Sequence, residues 1–515
     1  MNALGRRTVI AGAALALGLS ACITTVAGPG DRRPDPADPL IRERQQLIEA
    51  HQRAARAGPP PPIMAPPPAS GIISIPIDLD QVIRLDKEGQ TRSVAEPAPG
   101  GTDTAARGAS GIVPPLPPPC PTSLGFAGPT VPMKTYSLVK VFPGLQWHIC
   151  LTDMARKGLW IGPVELRRGS SGPWMQVLAQ AGLAEIFVPY HVEPLARWYD
   201  LNGPQRLLSP ITAEDLGPDG YPITLTNESF PTVAAEVRTR GVGWMCKGTT
   251  YQTTRRSEEL ALWAVTDAGN YDNIVEYAFR DDGAITFRLG NSGYNSPPRP
   301  AEPHTHNALW YIDMDLNGNW YDSASMLTHH EAASPTPLDA QDVATPFQVE
   351  GARKWDPEHL GSLLIEDKAV NRFGQHLGYE FSPLQNALTR HYGGIEKWTL
   401  NDIYITRWRM QDLLWANPYV GPTLPEIYAT LAVPDEYLLP ALDKQAAVQT
   451  DLVAWIKTAT HHHPTDEDRT VFNFFNTGTA WGVTGTHWSG FKIEPHNIFD
   501  FNPQGAPLRC DPPSP

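Results

Sequence analysis

The chain has little of several things that usually announce a protein's class. Its five cysteines, Cys22, Cys120, Cys150, Cys246 and Cys510, are few and widely scattered over 515 residues. Neither a disulfide framework nor a cysteine-based zinc site is expected from them. Beyond the first twenty-odd residues no apolar run approaches the length of a membrane span. Positive charge is outnumbered, 41 Lys and Arg against 55 Asp and Glu, for a net charge of -14. That balance argues against a nucleic-acid partner and suits cationic small substrates. Internal repeats are absent too, and convincing long helical periods are few.

Proline is abundant, 53 residues, and unevenly placed. Residues 22–130 alternate proline clusters (Pro59 to Pro62, Pro66 to Pro68, Pro114 to Pro121) with Ala, Gly, Asp and Arg. Such a segment cannot bury enough apolar surface to offset its ordering entropy, so it reads as a mostly disordered tether. Two islands, 39 to 57 (helix-like and charged) and 72 to 85 (strand-like), are able to dock on a folded body. Ahead of the tether, residues 1–21 hold Arg6-Arg7 and an apolar run from Thr8 to Leu19, followed by Ala21-Cys22. This resembles a bacterial lipoprotein signal with its lipobox. Cleavage before Cys22 and lipidation of its thiol would anchor a periplasm-facing protein in the bacterial cell envelope. The arginine pair also fits twin-arginine export.

From Met133 onward the character changes. Short apolar segments (Val139 to Phe142, Trp160 to Leu166, Glu185 to Tyr190, Leu260 to Val265, Ile274 to Phe279, Ala284 to Leu289) recur between Gly, Asn, Asp and Pro punctuation. Strands at this density predict an all-β fold, a large antiparallel β-sandwich occupying residues 131–515.

Chemistry concentrates in two stretches of this region. Gly269-Asn270-Tyr271-Asp272-Asn273 is followed about thirty residues later by His304-Thr305-His306. On a strand, side chains two apart share a face, so His304 and His306 can present two imidazoles to one metal. A tyrosine on a nearby strand then becomes a possible neighbour of that metal. A third nitrogen would come from far away in sequence, and His461-His462-His463 is the obvious source, although composition does not choose among the three.

Asn-Tyr-Asp, the strand after it, and His-x-His running into Tyr311-Ile312-Asp313-Met314-Asp315 resemble the catalytic core of the copper amine oxidases. The resemblance spans roughly 135 to 505, and the smaller N-terminal domains of that family have no recognisable counterpart. It implies a supersandwich catalytic domain that oxidatively deaminates a primary amine with O2 and works as a homodimer. Tyr271 would be the residue oxidised in place to topaquinone, and His304 and His306 would be two of three Cu(II) ligands. Asp451-Leu452-Val453-Ala454-Trp455, with a histidine eleven residues after the aspartate, then Pro464 and Glu467-Asp468, registers the third ligand on His462.

The same registration assigns the remaining roles. Leu183 to Tyr190, ending Val188-Pro189-Tyr190, precedes Arg197-Trp198-Tyr199-Asp200. Asp200 would be the base that takes the substrate's α-proton, Tyr190 would hydrogen-bond the cofactor oxygen, and Trp198 would be an aromatic gate. Asn270 would orient the quinone. Asp313, Met314, Asp315, Asp451 and Leu452 would form a peripheral oxygen-ligand site for Ca²⁺ or Mn²⁺.

Departures from the family pattern are concentrated around the substrate channel. Asn273 replaces an aromatic, His191-Val192-Glu193-Pro194 replaces Gly-Asp-Pro, several loops are short, and an insertion precedes Gly490 to Pro495 and Phe499 to Pro503. Two other function classes therefore stand beside the oxidase. One is a catalytically inactive copper-binding module on the same scaffold, the other a metal oxygenase or hydrolase that uses the three histidines without quinone chemistry. The shape of the channel, and with it the amine, is not legible.

Overall fold

Three of the apolar segments read from the sequence lie inside longer strands. Trp160 to Leu166 lies within Gly158–Arg168, Leu260 to Val265 within Gln252–Asp267, and Ile274 to Phe279 within Tyr271–Arg280. The computed structural model describes residues 117, 119–121, 134–154, 157–190, 197–199, 208–247, 252–268, 270–295, 302–318, 321–330, 341–386, 397–408, 447–465, 470–472, 479–481 and 483–505. The expected signal at 1–21, Cys22, both islands, Gly269, and the carboxylates Glu193, Asp200, Glu467 and Asp468 lie outside these residues. Among the described residues there is no α-helix, only a short 3-10 turn at Lys397–Leu400.

Two antiparallel sheets carry the architecture. One runs, in spatial order, through Lys134–Val141, Leu145–Met154, Gly158–Arg168, Trp174–Pro189, His304–Met314, Leu452–His462, Ile403–Arg407 and Gly351–Arg353, with Arg197–Tyr199 paired to Trp174–Pro189. The first four strands are consecutive in the chain and form a meander. His304–Met314 and Leu452–His462 are brought in from far downstream. The other sheet runs through Gln341–Pro346, Asp322–His330, Ser362–Val370, His376–Leu384, Val483–His496, Ile285–Tyr294, Tyr271–Arg280, Gln252–Asp267, Val233–Lys247 and Gly220–Ile223. The all-β antiparallel expectation holds.

The sheets meet face to face over aromatic side chains. Trp310 of the first packs against Tyr277, Phe287 and Phe491 of the second, with ring centroids about 6 Å apart and near-perpendicular planes. The Tyr277 hydroxyl crosses to donate to the Leu159 carbonyl at 2.6 Å, and the Trp147 indole donates to the Arg280 carbonyl at 3.0 Å. These bonds satisfy polar atoms that the core would otherwise strand. His304–Met314 is buried at every position because it has a strand on each side and covered faces above and below.

The sequence leaves the pairing of Cys120, Cys150, Cys246 and Cys510 open. Cys120 and Cys150 are joined in a disulfide with Cα atoms 5.6 Å apart. Cys246 is disulfide-bonded as well. Scatter along the chain was a poor guide, because pairing depends on Cα separation in space, which the strand register sets. Cys120 belongs to the stretch read as tether, so the end of that stretch is covalently tied to the sandwich.

Candidate metal centre and its tyrosine

Strand register sets three imidazoles side by side. His304 pairs directly opposite His462, and His306 stands two residues further along the same strand. Alternation gives His304 and His306 the parity of Ala308, Trp310, Ile312 and Met314, and gives His462 that of Leu452, Ala454 and Ile456. All of those apolar residues belong to the core between the sheets. The imidazoles therefore line one end of the inter-sheet space. They are fully buried, and their ligating nitrogens lie within 4.8 Å of one another.

Tyr271 reaches this cluster from the opposite sheet. It opens the strand Tyr271–Arg280, whose Val275, Tyr277 and Phe279 face the core at the same parity. Its phenol oxygen is 3.0 Å from His304 Nε2 and 3.0 Å from His462 Nδ1, and it donates to Asn295 Oδ1 at 3.0 Å. Asn295 was missed by sequence reasoning, and no motif marks it. Gly293 lies opposite Tyr271 in the register at φ +143°, and a Cβ there would meet the Asn270 carbonyl at 2.2 Å. Only glycine lets the two backbones approach this closely. Asn270 ties the same junction from its other side, its Nδ2 donating to the Tyr294 carbonyl at 2.9 Å. In this geometry Asn270 fixes the backbone that carries the tyrosine.

Protonation follows from the hydrogen bonds. His304 Nδ1 donates to the Glu302 carbonyl at 3.1 Å, which leaves the Nε2 lone pair facing the cluster. Both ring nitrogens of His306 are buried without a hydrogen-bond partner. Burial, reinforced by His304, His462 and His487, holds His306 well below the ordinary histidine range. A neutral imidazole with an orphaned lone pair beside two others is a donor set that a metal ion satisfies. On ligand type it suits Cu(II) or Zn(II). His487 packs on His462 with centroids 4.6 Å apart. Sequence reasoning missed it too, since nothing in Thr486-His487-Trp488 distinguishes it from a surface histidine.

Of the other residues singled out, Tyr190 is buried and stacks on His304, with centroids 4.6 Å apart and planes 27° apart. Asn273, at the position of the replaced aromatic, is fully buried and accepts from Asn291 Nδ2 at 2.6 Å. Trp198 lies on the short strand Arg197–Tyr199, paired with Val188. Asp200, the expected base, is outside the described residues.

The peripheral acidic site also assembles. Asp313, Asp315 and Asp451 bring carboxylate oxygens within 4.8 Å of one another, and Met314 pairs opposite Leu452 in the register. Asp313 has odd parity, so it lies on the outer face of the sheet, away from the imidazoles. One oxygen each of Asp313, Asp315 and Asp451 is buried and unpartnered. Asp322, which sequence reasoning missed, is fully buried with both oxygens unpartnered. Burial, and then the neighbouring carboxylates, push Asp315 up to about 7 and Asp322 up to about 9, and hold Asp313 well above the carboxylate range. Asp451 rises to about 6 through burial, against the pull of Arg407. Orphaned, mutually repelling oxygens of this kind fit a hard divalent cation.

Comparison with known proteins bears on this geometry. Residues 296–507 match the copper amine oxidase enzyme domain. That span includes His304, His306 and His462, while Tyr271 precedes it. Copper amine oxidases are also what the chain resembles over a longer stretch. It is 23% identical over 419 residues to primary amine oxidase 2 of Arabidopsis thaliana, covering 69% of this chain and 57% of that protein. It is 24% identical over 403 residues to the primary amine oxidase of Klebsiella aerogenes, covering 67% and 50%. Among solved structures it superposes on the lysyl oxidase of Pichia pastoris with TM-score 0.55 at 17% identity, over 70% of this chain and 52% of that one. On the copper-containing benzylamine oxidase of Hansenula polymorpha the TM-score is 0.53 at 15% identity, over 71% and 62%. The chain thus spans about half to three fifths of the length of these proteins, and the structural likeness is one of fold.

Proposed function

We propose that the chain is a copper- and topaquinone-dependent primary-amine oxidase, converting a primary amine, O2 and water to an aldehyde, ammonia and hydrogen peroxide. The observation that carries this reading is the approach of the Tyr271 phenol to within 3.0 Å of both His304 and His462 inside a buried imidazole cluster. Ligand type alone leaves copper and zinc equal. Oxidising a phenol to a quinone needs a redox metal and oxygen, and that selects copper.

Copper and the quinone, when present, supply the electron-accepting chemistry. The protein's own residues supply the rest. His304, His306 and His462 hold the metal as neutral donors, while Asn270 and Gly293 fix the backbone on both sides of Tyr271. Tyr190 covers His304 and is the residue assigned to hydrogen-bond the quinone oxygen. Asp200 removes the substrate's α-proton, with Trp198 as gate and Glu193 as the next candidate base. The acidic cluster takes Ca²⁺ or Mn²⁺ in a structural role.

The same reading makes the protein a homodimer, held to a membrane by lipid on Cys22 and facing the periplasm. The Cys120–Cys150 disulfide supports an oxidising compartment.

The deciding experiment is the visible spectrum of copper-loaded protein with and without a carbonyl-trapping hydrazine. A quinone band that shifts on stoichiometric hydrazine addition is expected. An unmodified Tyr271 peptide from copper-loaded protein would replace the oxidase by the copper-binding module. Mass spectrometry of the membrane fraction tests for diacylglycerol on Cys22, and light scattering tests for the dimer mass.

A further inference from the structure

On the outer face of the first sheet, far along the chain from the copper ligands, three neighbouring strands line up a serine, a histidine and a carboxylate. Ser137 is on Lys134–Val141, His148 on Leu145–Met154 and Glu165 on Gly158–Arg168. Register places His148 opposite both Val139 and Glu165, so Ser137 is its diagonal neighbour. Parity agrees, because Leu138, Trp147, Ile149, Val164 and Leu166 face the core and leave these three pointing the other way. Ser137 Oγ lies 3.0 Å from His148 Nε2, and His148 Nδ1 lies 2.7 Å from Glu165 Oε2.

The polarity of this row is directional. Glu165 accepts from Nδ1–H, so Nε2 carries the lone pair and receives the Ser137 proton. His148 is fully buried and Glu165 nearly so, whereas Ser137 is exposed. A buried base held in one tautomer by a buried carboxylate, beside a hydroxyl open to solvent, is the arrangement that activates a serine nucleophile. The edge of the sheet supplies a donor as well. Thr135 engages Thr226 through both its amide and its carbonyl, at 2.9 and 3.0 Å, on the side away from Leu145–Met154. By the two-residue period, the Ser137 amide faces that same outer edge beside its own hydroxyl, where it can meet a developing oxyanion. The Cys150 sulfur, 4.0 Å from Nε2, and the Trp174 ring, 5.9 Å from His148 between centroids, flank the imidazole.

We propose that Ser137, His148 and Glu165 form a second site, which hydrolyses small carboxylic esters by acyl transfer through Ser137. Ser137 Oγ bonds to the acyl carbon as its proton passes to His148 Nε2. The bond to the alcohol oxygen breaks, and that oxygen takes the proton from His148. Water then repeats the sequence, its proton going through His148 back to Ser137 as the acid is released. Ser137 is the nucleophile, His148 the base, and Glu165 a positioning residue.

The test uses the full chain, with a fluorophosphonate probe read by peptide mass spectrometry and p-nitrophenyl acetate as substrate. Expected is one phosphonyl adduct, on Ser137, and ester turnover that falls at least ~10²-fold in Ser137→Ala. Ser137 is exposed, so Ser137→Ala should keep the wild-type melting midpoint. Glu165→Gln should lower kcat and leave KM unchanged, which a change in substrate fit would not do. Absence of the adduct on Ser137 in folded wild-type protein, or wild-type ester turnover by Ser137→Ala, overturns the proposal and leaves the row a structural network.

Discussion

The Tyr271 phenol oxygen and His462 Nδ1 stand 3.0 Å apart, although 191 residues separate them in the chain. One belongs to each sheet, so the contact exists only when the sandwich closes. Tyr271→Phe removes the hydroxyl and leaves all three imidazoles in place. It should retain copper at wild-type stoichiometry by elemental analysis while forming no hydrazine-reactive chromophore and releasing no peroxide. His462→Ala, by contrast, should lose both copper and chromophore. Full copper occupancy in His462→Ala would remove that histidine from the ligand set.

On the proposed reading Asp200 acts only after the cofactor exists, so its replacement separates biogenesis from turnover. Asp200→Asn should form the chromophore and titrate with hydrazine as wild type does, while amine-dependent peroxide release falls on the order of 10²- to 10⁴-fold. Turnover at the wild-type rate moves the base elsewhere, and Glu193→Gln is then the variant to make.

The acidic cluster predicts an unusual pH dependence for the metal-free chain. Asp451, Asp315 and Asp322 sit at about 6, 7 and 9 in the folded state, above the unfolded carboxylate value of about 3.9. Between those limits the unfolded chain has released protons that the folded chain still holds. Stability is then fully present below pH ~4 and is lost as pH rises through the folded values. In chelator the melting midpoint should fall from pH 5 to pH 9. Added Ca²⁺, which binds the ionised form, should flatten that fall. A midpoint indifferent to Ca²⁺ at pH 8 would argue against a cation site.

Gly293→Ala should be among the more damaging small substitutions near the centre. A methyl group 2.2 Å from the Asn270 carbonyl cannot be accommodated without moving the backbone that carries Tyr271, and φ +143° is unfavourable for any L side chain. A loss of roughly 1–3 kcal/mol in denaturant unfolding is expected. Chromophore formation should slow with it. An unchanged unfolding midpoint would show that the strand junction yields easily.

Much of the fold was written in local pattern. Alternating apolar residues mark strands because side chains two apart share a face, and the same period puts His304 with His306 and Asp313 with Asp315. Parity also separates the two clusters onto opposite faces of one strand, the even positions inward and the odd ones outward. Among three adjacent histidines only the family resemblance, registered on Asp451, points to His462, and its inward parity agrees. Other features carried no local signal. Asn295 meets the centre from just past the end of Ile285–Tyr294, His487 from within Val483–His496, and Asp322 meets the acidic cluster through pairing with Thr450, the residue before Asp451. Cys120 finds Cys150 across strand register. Each depends on which strands become neighbours, and that is set by the packing of two whole sheets. The residues themselves therefore determined strand, face and donor type, while the closing of the sandwich decided which donors share a site.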